Sequence, residues 1–121
     1  MSKIFGSKLK KLREVRGISQ TELARRLGYS SNGYIADIEK GAYIPPDDRK
    51  LRDFARALDV SFDVIKDMVL ESRLDDMGVR EPGFVSMFKD YPRLAREDRK
   101  EILKTYLKIK SKQQKKHGRD N

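Results

Sequence analysis

Side chains that could do chemistry are sparse in this sequence, and the most familiar reactive groups are missing. There is no cysteine, and the single histidine, His117, lies in a polar tail. Disulfides, thiolate metal sites and cysteine or histidine nucleophiles are therefore excluded. The acid pairs Asp47–Asp48 and Asp75–Asp76 lie at a predicted helix start and in a predicted linker, where acids are common. We therefore expect no enzyme activity, no cofactor and no metal site.

One short stretch carries polar side chains that could take part in recognition. The stretch GYSSNGYIADIEKG, residues 28–41, begins with small and polar residues that form helix poorly and ends as a helix stopped by glycine. Amide, hydroxyl and carboxylate groups there can hydrogen-bond to the edges of nucleic-acid bases. The formal charge is +9, which favours a polyanionic partner, nucleic acid ahead of an anionic membrane surface. Mere solubility is the alternative explanation of that charge.

The elements that must position these groups are helices, because apolar residues recur at spacings of three and four and do not alternate. Leu9, Leu12 and Val15 mark the first helix. Ser19 and Glu22 have the spacing of a capping box and start the second helix. The predicted helix stops are Gly17, Gly28 and Gly41.

The rest of the chain continues as helices. Pro46 suits the first position of a fourth helix, and Ser61 can cap a fifth. No apolar run approaches the ~20 residues of a membrane span, and the chain begins without an apolar signal region, so we expect a cytoplasmic protein and no membrane contact. We predict an all-α fold with a five-helix domain over residues 1–74, a linker over residues 75–83, amphipathic helices over residues 84–110 and a basic, disordered tail over residues 111–121.

Two short helices joined by a glycine-containing turn indicate a helix-turn-helix. The segments ISQTELARRLG, YIADIEKG, IPP, LRDFARALDV and SFDVI occur in order and resemble the phage-repressor-like (Xre/Cro/CI type) DNA-binding domain, over roughly residues 4–70. This resemblance implies five helices around one core, binding to double-stranded DNA and a role in transcription regulation, most often repression. An α-helical bundle in which the same residues are ordinary core and caps is the alternative.

The resemblance also implies roles for individual residues. Asn32 is the first candidate for a base contact, since asparagine pairs with adenine, and its alternative role is that of a helix N-cap. Asp37 is expected either to accept a hydrogen bond from cytosine or to pair with Lys40 or Arg16. The predicted structural ion pair is Arg13 with Glu39. The predicted DNA-binding residues are Gln20, Thr21, Ser31, Asn32, Gly33, Tyr34, Asp37, Lys40 and Tyr43.

The turn before the recognition helix departs from the family pattern. Residues 29–34 separate Gly28 from Ile35, which is one residue more than the usual spacing. The register of the helix start is therefore open, and any of Ser31, Asn32 and Gly33 could face the groove.

The C-terminal third is not explained by the DNA-binding domain. About 30 residues are too few for a ligand-sensing domain with its own core, so no small-molecule ligand is inferred. The helices of residues 84–110 could form a homodimer, which suits binding to two DNA half-sites, or pack within one chain. The alternative function is that of an antitoxin-like or co-regulator protein, which uses the same fold mainly to bind another protein. Binding to RNA or to single-stranded nucleic acid is a weaker alternative, because the few aromatic residues are expected in the core.

Overall fold

The computed structural model describes the backbone of residues 3–119 and the side chains of residues 3–116. Within that range every regular element is helical, which confirms the predicted all-α fold. The chain divides into two compact units between Val85 and Ser86, and each is described by itself. The elements are α1 (Lys3–Val15), α2 (Gln20–Arg26), α3 (Gly33–Glu39), α4 (Asp48–Ala57), α5 (Phe62–Asp76), α6 (Pro82–Asp90), a 3-10 helix (Tyr91–Arg93) and α7 (Arg96–Arg119).

The first unit has one apolar core, to which α1 to α5 all contribute. α1 packs on both α3 and α5, α4 packs on α5, and α2 packs on α3. Phe5, Phe54 and Ile65 are enclosed to 1% exposure or less. Burying a side chain of this size contributes about 1.5–3 kcal/mol relative to leaving it in water. The core is completed by Leu9, Ile18, Leu23, Ala24, Ile35, Ile38, Leu51, Ala55, Leu58 and Met68.

Three expectations about helix boundaries need correction. Val15 continues the apolar spacing of α1, but it is the last residue of that helix and is 75% exposed, so it does not belong to the core. Pro46 precedes α4 instead of opening it, since Asp47 is the N-cap and its carboxylate accepts the Arg49 N–H at 2.9 Å. Ser61 occupies the N-cap position of α5, but its hydroxyl makes no capping hydrogen bond.

The five helices of the first unit all end in the same backbone motif. At the end of α4, Asp59 adopts a left-handed conformation with φ of 55°, and its N–H donates to the carbonyl of Arg56. The N–H of Val60 donates to the carbonyl of Ala55, which completes a Schellman motif and satisfies the last carbonyls of the helix. Glycine fills the left-handed position at the other four ends, at Gly17, Gly28, Gly41 and Gly78. The predicted stops at the first three of these glycines are confirmed.

The second unit contains the end of α6, the 3-10 helix and α7. α7 continues to Arg119, through most of the segment predicted to be a disordered tail, residues 111–121. Residues 120 and 121 and the side chain of His117 lie outside what the structure describes. Over the described part of the unit, no side chain is fully buried.

An apolar groove lies on the second unit. Its volume is about 330 Å³, and side chains from α6, the 3-10 helix and α7 line it. The guanidinium of Arg99 lies 6.0 Å from the centre of the Tyr91 ring, beside the groove. The residues that line the groove are Met87, Phe88, Tyr91, Pro92, Ile102, Leu103 and Tyr106.

Candidate nucleic-acid interface

The candidate interface is built on α2 and α3, two helices of seven residues each that pack against one another. Helices of two turns are not stable alone in water, so α3 depends on packing for its position. The inner faces of the pair supply Leu23, Ala24, Ile35 and Ile38 to the core. The polar residues of the turn and of the outer face of α3 are exposed to solvent.

Backbone contact with α1 sets the position of α3 at its C-terminal end. A Cβ atom on Gly6 would lie 2.8 Å from the carbonyl oxygen of Glu39 and closer still to that of Ile38. A Cβ on Gly41 would lie 3.0 Å from Cγ of Lys3, and Gly41 also has a φ of +90°. Both positions therefore require glycine, and the closeness of the two backbones leaves α3 little freedom to tilt.

The start of α2 forms as predicted, although half of the expected capping box is missing. Ser19 Oγ accepts the N–H of Glu22 at 3.0 Å. The Glu22 carboxylate pairs instead with Arg25 and Arg26, at N···O distances of 2.6 and 3.1 Å. The hydrogen bond from Arg25, followed by that from Arg26, lowers the pKa of Glu22 to about 2. Glu22 therefore remains a carboxylate well below neutral pH.

A chain of hydrogen bonds runs from the interior toward the start of α3, and its inner end is an ion pair. Arg13 Nε donates to Glu39 Oε2 at 2.7 Å, and Arg13 Nη2 donates to Glu39 Oε1 at 3.0 Å. The two side chains are only 10% and 3% exposed. Arg13 Nη1 also donates to the carbonyl of Ile18 at 2.8 Å. The hydrogen bond to Glu39 outweighs the effect of burial and raises the pKa of Arg13.

Gln20 carries this chain of hydrogen bonds to the surface. Gln20 Nε2 donates to Glu39 Oε1 at 3.1 Å, and Asn32 Nδ2 donates to Gln20 Oε1 at 3.1 Å. Asn32 stands at the N-cap position of α3, but its side chain makes no capping hydrogen bond. Among Ser31, Asn32 and Gly33, the residues whose register the sequence leaves open, Asn32 is thus the one whose exposed side chain is oriented by a partner on α2.

The other predicted DNA-binding residues surround Asn32 or follow α3. Gln20 and Tyr34 are half-buried, and Tyr43 is 38% exposed. Thr21, Ser31, Asn32, Gly33, Asp37 and Lys40 are exposed.

Asp37 lies on the exposed side of α3 without a charged partner. Its carboxylate forms no hydrogen bond or ion pair with any side chain among residues 3–116, and the possible pairing with Lys40 or Arg16 is not formed. An acid left unneutralised at this position accepts hydrogen bonds and repels phosphate.

Aromatic side chains from three segments form a row beside the start of α3. The ring of Tyr34, in the first turn of α3, lies 4.8 Å from that of Tyr29 and 5.7 Å from that of Tyr43 between centroids. Lys50 Nζ, on α4, donates to the Tyr29 hydroxyl at 2.7 Å and lies 5.1 Å from the centroid of Tyr34. The hydrogen bond to Tyr29 raises the pKa of Lys50, and burial raises the pKa of Tyr34.

Sequence reasoning missed Tyr29 and Lys50. Tyr29 directly follows the glycine that stops α2, and Lys50 belongs to a run of basic residues on α4. A position in the turn and a place in a basic run each make these residues candidates for contact with nucleic acid. Their separation of 21 residues gives no indication that they meet, because the meeting depends on how α4 packs against the turn.

Other kinds of site find little support in the described part of the chain. Among residues 3–116, no cluster of acidic or histidine side chains could hold a metal ion. Within the same range, every helix is too short or too polar to cross a membrane.

The packed pair α2 and α3, with a polar and exposed turn between them, defines the first unit as a helix-turn-helix domain. Residues 9–65 match a family model described as helix-turn-helix. This match supports the resemblance of residues 9–65 to the phage-repressor-like (Xre/Cro/CI type) helix-turn-helix family, whose members are DNA-binding transcription regulators and generally not enzymes. Comparison with curated proteins and with solved structures gives no match.

Proposed function

We propose that this regulator is a sequence-specific repressor that binds a two-fold operator as a homodimer, with α3 in the major groove. The observation that carries the proposal is the orientation of Asn32 by Gln20, at 3.1 Å. An asparagine amide reads adenine by accepting from N6 and donating to N7. The amide nitrogen of Asn32 has a second N–H, so the bond to Gln20 leaves both of these groups available. A side chain oriented in advance also loses less entropy on binding.

The remaining residues of the interface divide between base and backbone contacts. The unneutralised Asp37 accepts a hydrogen bond from cytosine N4 and disfavours other bases at that position. Gln20, Lys40 and Tyr43 contact phosphates, which position the domain without reading sequence. Thr21, Ser31, Gly33 and Tyr34 complete the surface that approaches DNA.

The apolar surface of the second unit supports the dimer. Leu103, Tyr106 and Leu107 of α7 are 48%, 53% and 59% exposed, which is unusual for apolar side chains so close together. A second copy of the chain would cover them. Dimers of this kind suit operators whose half-sites lie one helical turn, about 34 Å, apart.

Selection of bound fragments from random DNA tests the proposal. We expect the wild-type chain to enrich a two-fold motif with adenine in each half. Asn32→Ala should weaken binding by about 5- to 150-fold, the equivalent of about 1–3 kcal/mol, and should relax preference at that adenine only. Ser30→Ala, at an exposed position in the same turn, is the control and should leave the motif unchanged. Absence of any enriched motif would overturn sequence-specific binding.

Sedimentation tests the dimer separately. Leu103→Glu places a charge in the groove and should convert a dimer to a monomer. Val15→Glu, at an exposed apolar residue of the first unit, is the control and should not change the mass. A wild-type chain that sediments as a monomer at all concentrations would contradict the dimer.

An antitoxin-like or co-regulator role is the second candidate function. Two observations favour it: the unneutralised acid Asp37 on α3, which disfavours a phosphate backbone, and the exposed groove of the second unit. It predicts no enriched DNA motif together with a stable complex between the chain and a partner protein, lost in the Leu103→Glu variant.

A further inference from the structure

Lys50 differs from most of the other paired lysines and arginines of the first unit because its hydrogen-bond partner is not a carboxylate. The side chains of Lys8, Arg13, Arg25, Arg26 and Arg56 each pair with a carboxylate. Lys50 Nζ is held by the Tyr29 hydroxyl and lies 5.1 Å from the centroid of the Tyr34 ring, and it forms no ion pair with any side chain among residues 3–116. The nearest carboxylate that acts on it is that of Asp47, which is not close enough to form an ion pair and already caps α4, so the Lys50 charge is positioned without a paired anion.

The partner of Lys50 adds a second donor to the same place. The Tyr29 oxygen accepts the hydrogen bond from Lys50, and its own O–H can donate either to the neighbouring Tyr34 hydroxyl or to a bound acceptor. The ammonium has three N–H groups and uses one on Tyr29. The pair thus offers a full positive charge with several hydrogen-bond donors, which is the chemistry that a phosphate oxygen accepts.

The location of the pair connects it with the candidate interface. Lys50 Nζ lies at the hydroxyl end of Tyr29, 2.7 Å from its oxygen, and 5.1 Å from the centroid of the Tyr34 ring. Tyr34 stands two residues after Asn32, in the first turn of α3. The pair therefore borders the end of α3 that carries the base-reading side chain, although Lys50 itself belongs to α4, outside the helix-turn-helix.

We propose that Lys50 and Tyr29 form a binding site for one phosphodiester of the DNA backbone, on the flank of the recognition helix. This inference rests on the proposed function and extends it to residues outside the predicted set. The contact reads no sequence, and it fixes the register of α3 against the groove from the side of α4.

The test measures DNA affinity of the full chain as a function of salt concentration. Neutralising one phosphate contributes about 0.9 to the slope of log K against log salt concentration. Lys50→Gln should therefore lower that slope by about 0.9 and weaken binding by about tenfold, equally on the selected operator and on a scrambled sequence. Lys50→Arg should retain the wild-type slope. Tyr29→Phe should weaken binding without changing the slope, since the charge remains.

Lys66 provides a matched control. Its ammonium also lies near an aromatic ring, 5.5 Å from the centroid of Phe62, but on α5. Lys66→Gln removes the same charge from the chain and should leave the salt slope unchanged. Thermal melts of each variant report whether the fold is retained.

The outcomes separate this inference from the function on which it rests. If the wild-type chain binds neither operator nor scrambled DNA, the proposed function fails. If the wild-type chain binds and Lys50→Gln keeps the wild-type slope, the phosphate site is overturned while the function stands. Equal loss of slope in the Lys50 and Lys66 variants would also overturn the site, because it would reflect net charge alone.

Discussion

Replacing Glu39 by alanine is expected to destabilise the first unit and to weaken DNA binding through the same hydrogen bonds. The substitution removes both bonds from Arg13 and the bond from Gln20. Arg13 keeps only its bond to the carbonyl of Ile18, at 2.8 Å, with its side chain 10% exposed. An arginine charge buried without its partner costs about 3–5 kcal/mol.

This loss is large compared with the stability of a domain of this size. At 0.05–0.15 kcal/mol per residue, a unit of about 85 residues has a free energy of unfolding of roughly 4–13 kcal/mol. A loss of 3 kcal/mol or more corresponds to a fall in Tm of at least about 12 °C. Urea denaturation followed by circular dichroism gives the free energy, and a thermal melt gives the Tm.

The double variant Glu39→Ala with Arg13→Met distinguishes a stranded charge from lost packing. Removing both charges leaves no unpaired ion, so the double variant should be more stable than Glu39→Ala alone. Glu22→Ala is the control, because Glu22 also bonds to two arginines but at the surface, and should change the Tm little. Equal losses in the single and double Glu39 variants would refute the stranded-charge explanation.

Three further predictions concern single residues of the first unit. Gly6→Ala should lower the free energy of unfolding by about 1–3 kcal/mol, because the new Cβ would meet the carbonyls of α3, and this outweighs the preference of alanine for helix. Gly83→Ala is the control and should not lower stability, because nothing lies near the new Cβ there. Asp59→Gly should raise stability by up to about 1 kcal/mol, since φ is 55° there. The pKa of Glu22 is about 2 in the folded chain against an ordinary 4.5, so its contribution to stability, small because the pair is at the surface, should be present above pH 4.5 and be lost as the pH falls from there toward 2.

Each of these predictions has a clear contrary result. A stabilised Gly6→Ala variant in urea denaturation would mean that α1 and α3 are not in backbone contact. An Asp59→Gly variant with an unchanged or lower Tm would mean that the left-handed residue is not strained. For Glu22, carboxyl chemical shifts followed by NMR should show no titration above pH 3, and a midpoint near 4.5 would contradict the pairing with Arg25.

Features set by local sequence could be predicted, and those that depend on packing between helices could not. The glycine stops follow from backbone conformation at single residues, and the core of α3 follows from the spacing of Ile35 and Ile38. Val15 has the same spacing as the core residues of α1, but nothing in the sequence says where the core ends. Pro46 has the right type for a helix start, and only the hydrogen bond of Asp47 decides that the helix begins later.

The candidate site shows the same division. The residue types of Asn32 and Gln20 indicate recognition of bases or phosphates, which a single sequence can suggest. The bond between them depends on the path of the six-residue turn, and the lengthened turn leaves that path open in the sequence. The contact of Lys50 with Tyr29 depends further on the packing of α4, and no local pattern indicates it.

The placement of the tyrosines allows intrinsic fluorescence to report on binding by this chain. It contains no tryptophan and five tyrosines, so tyrosine dominates its ultraviolet emission. Tyr29, Tyr34 and Tyr43 form the row beside α3, while Tyr91 and Tyr106 line the groove of the second unit. All of the tyrosine fluorescence therefore arises at one of the two surfaces to which a binding event is assigned. A chain with phenylalanine at positions 91 and 106 would report on the helix-turn-helix unit alone, without any attached dye.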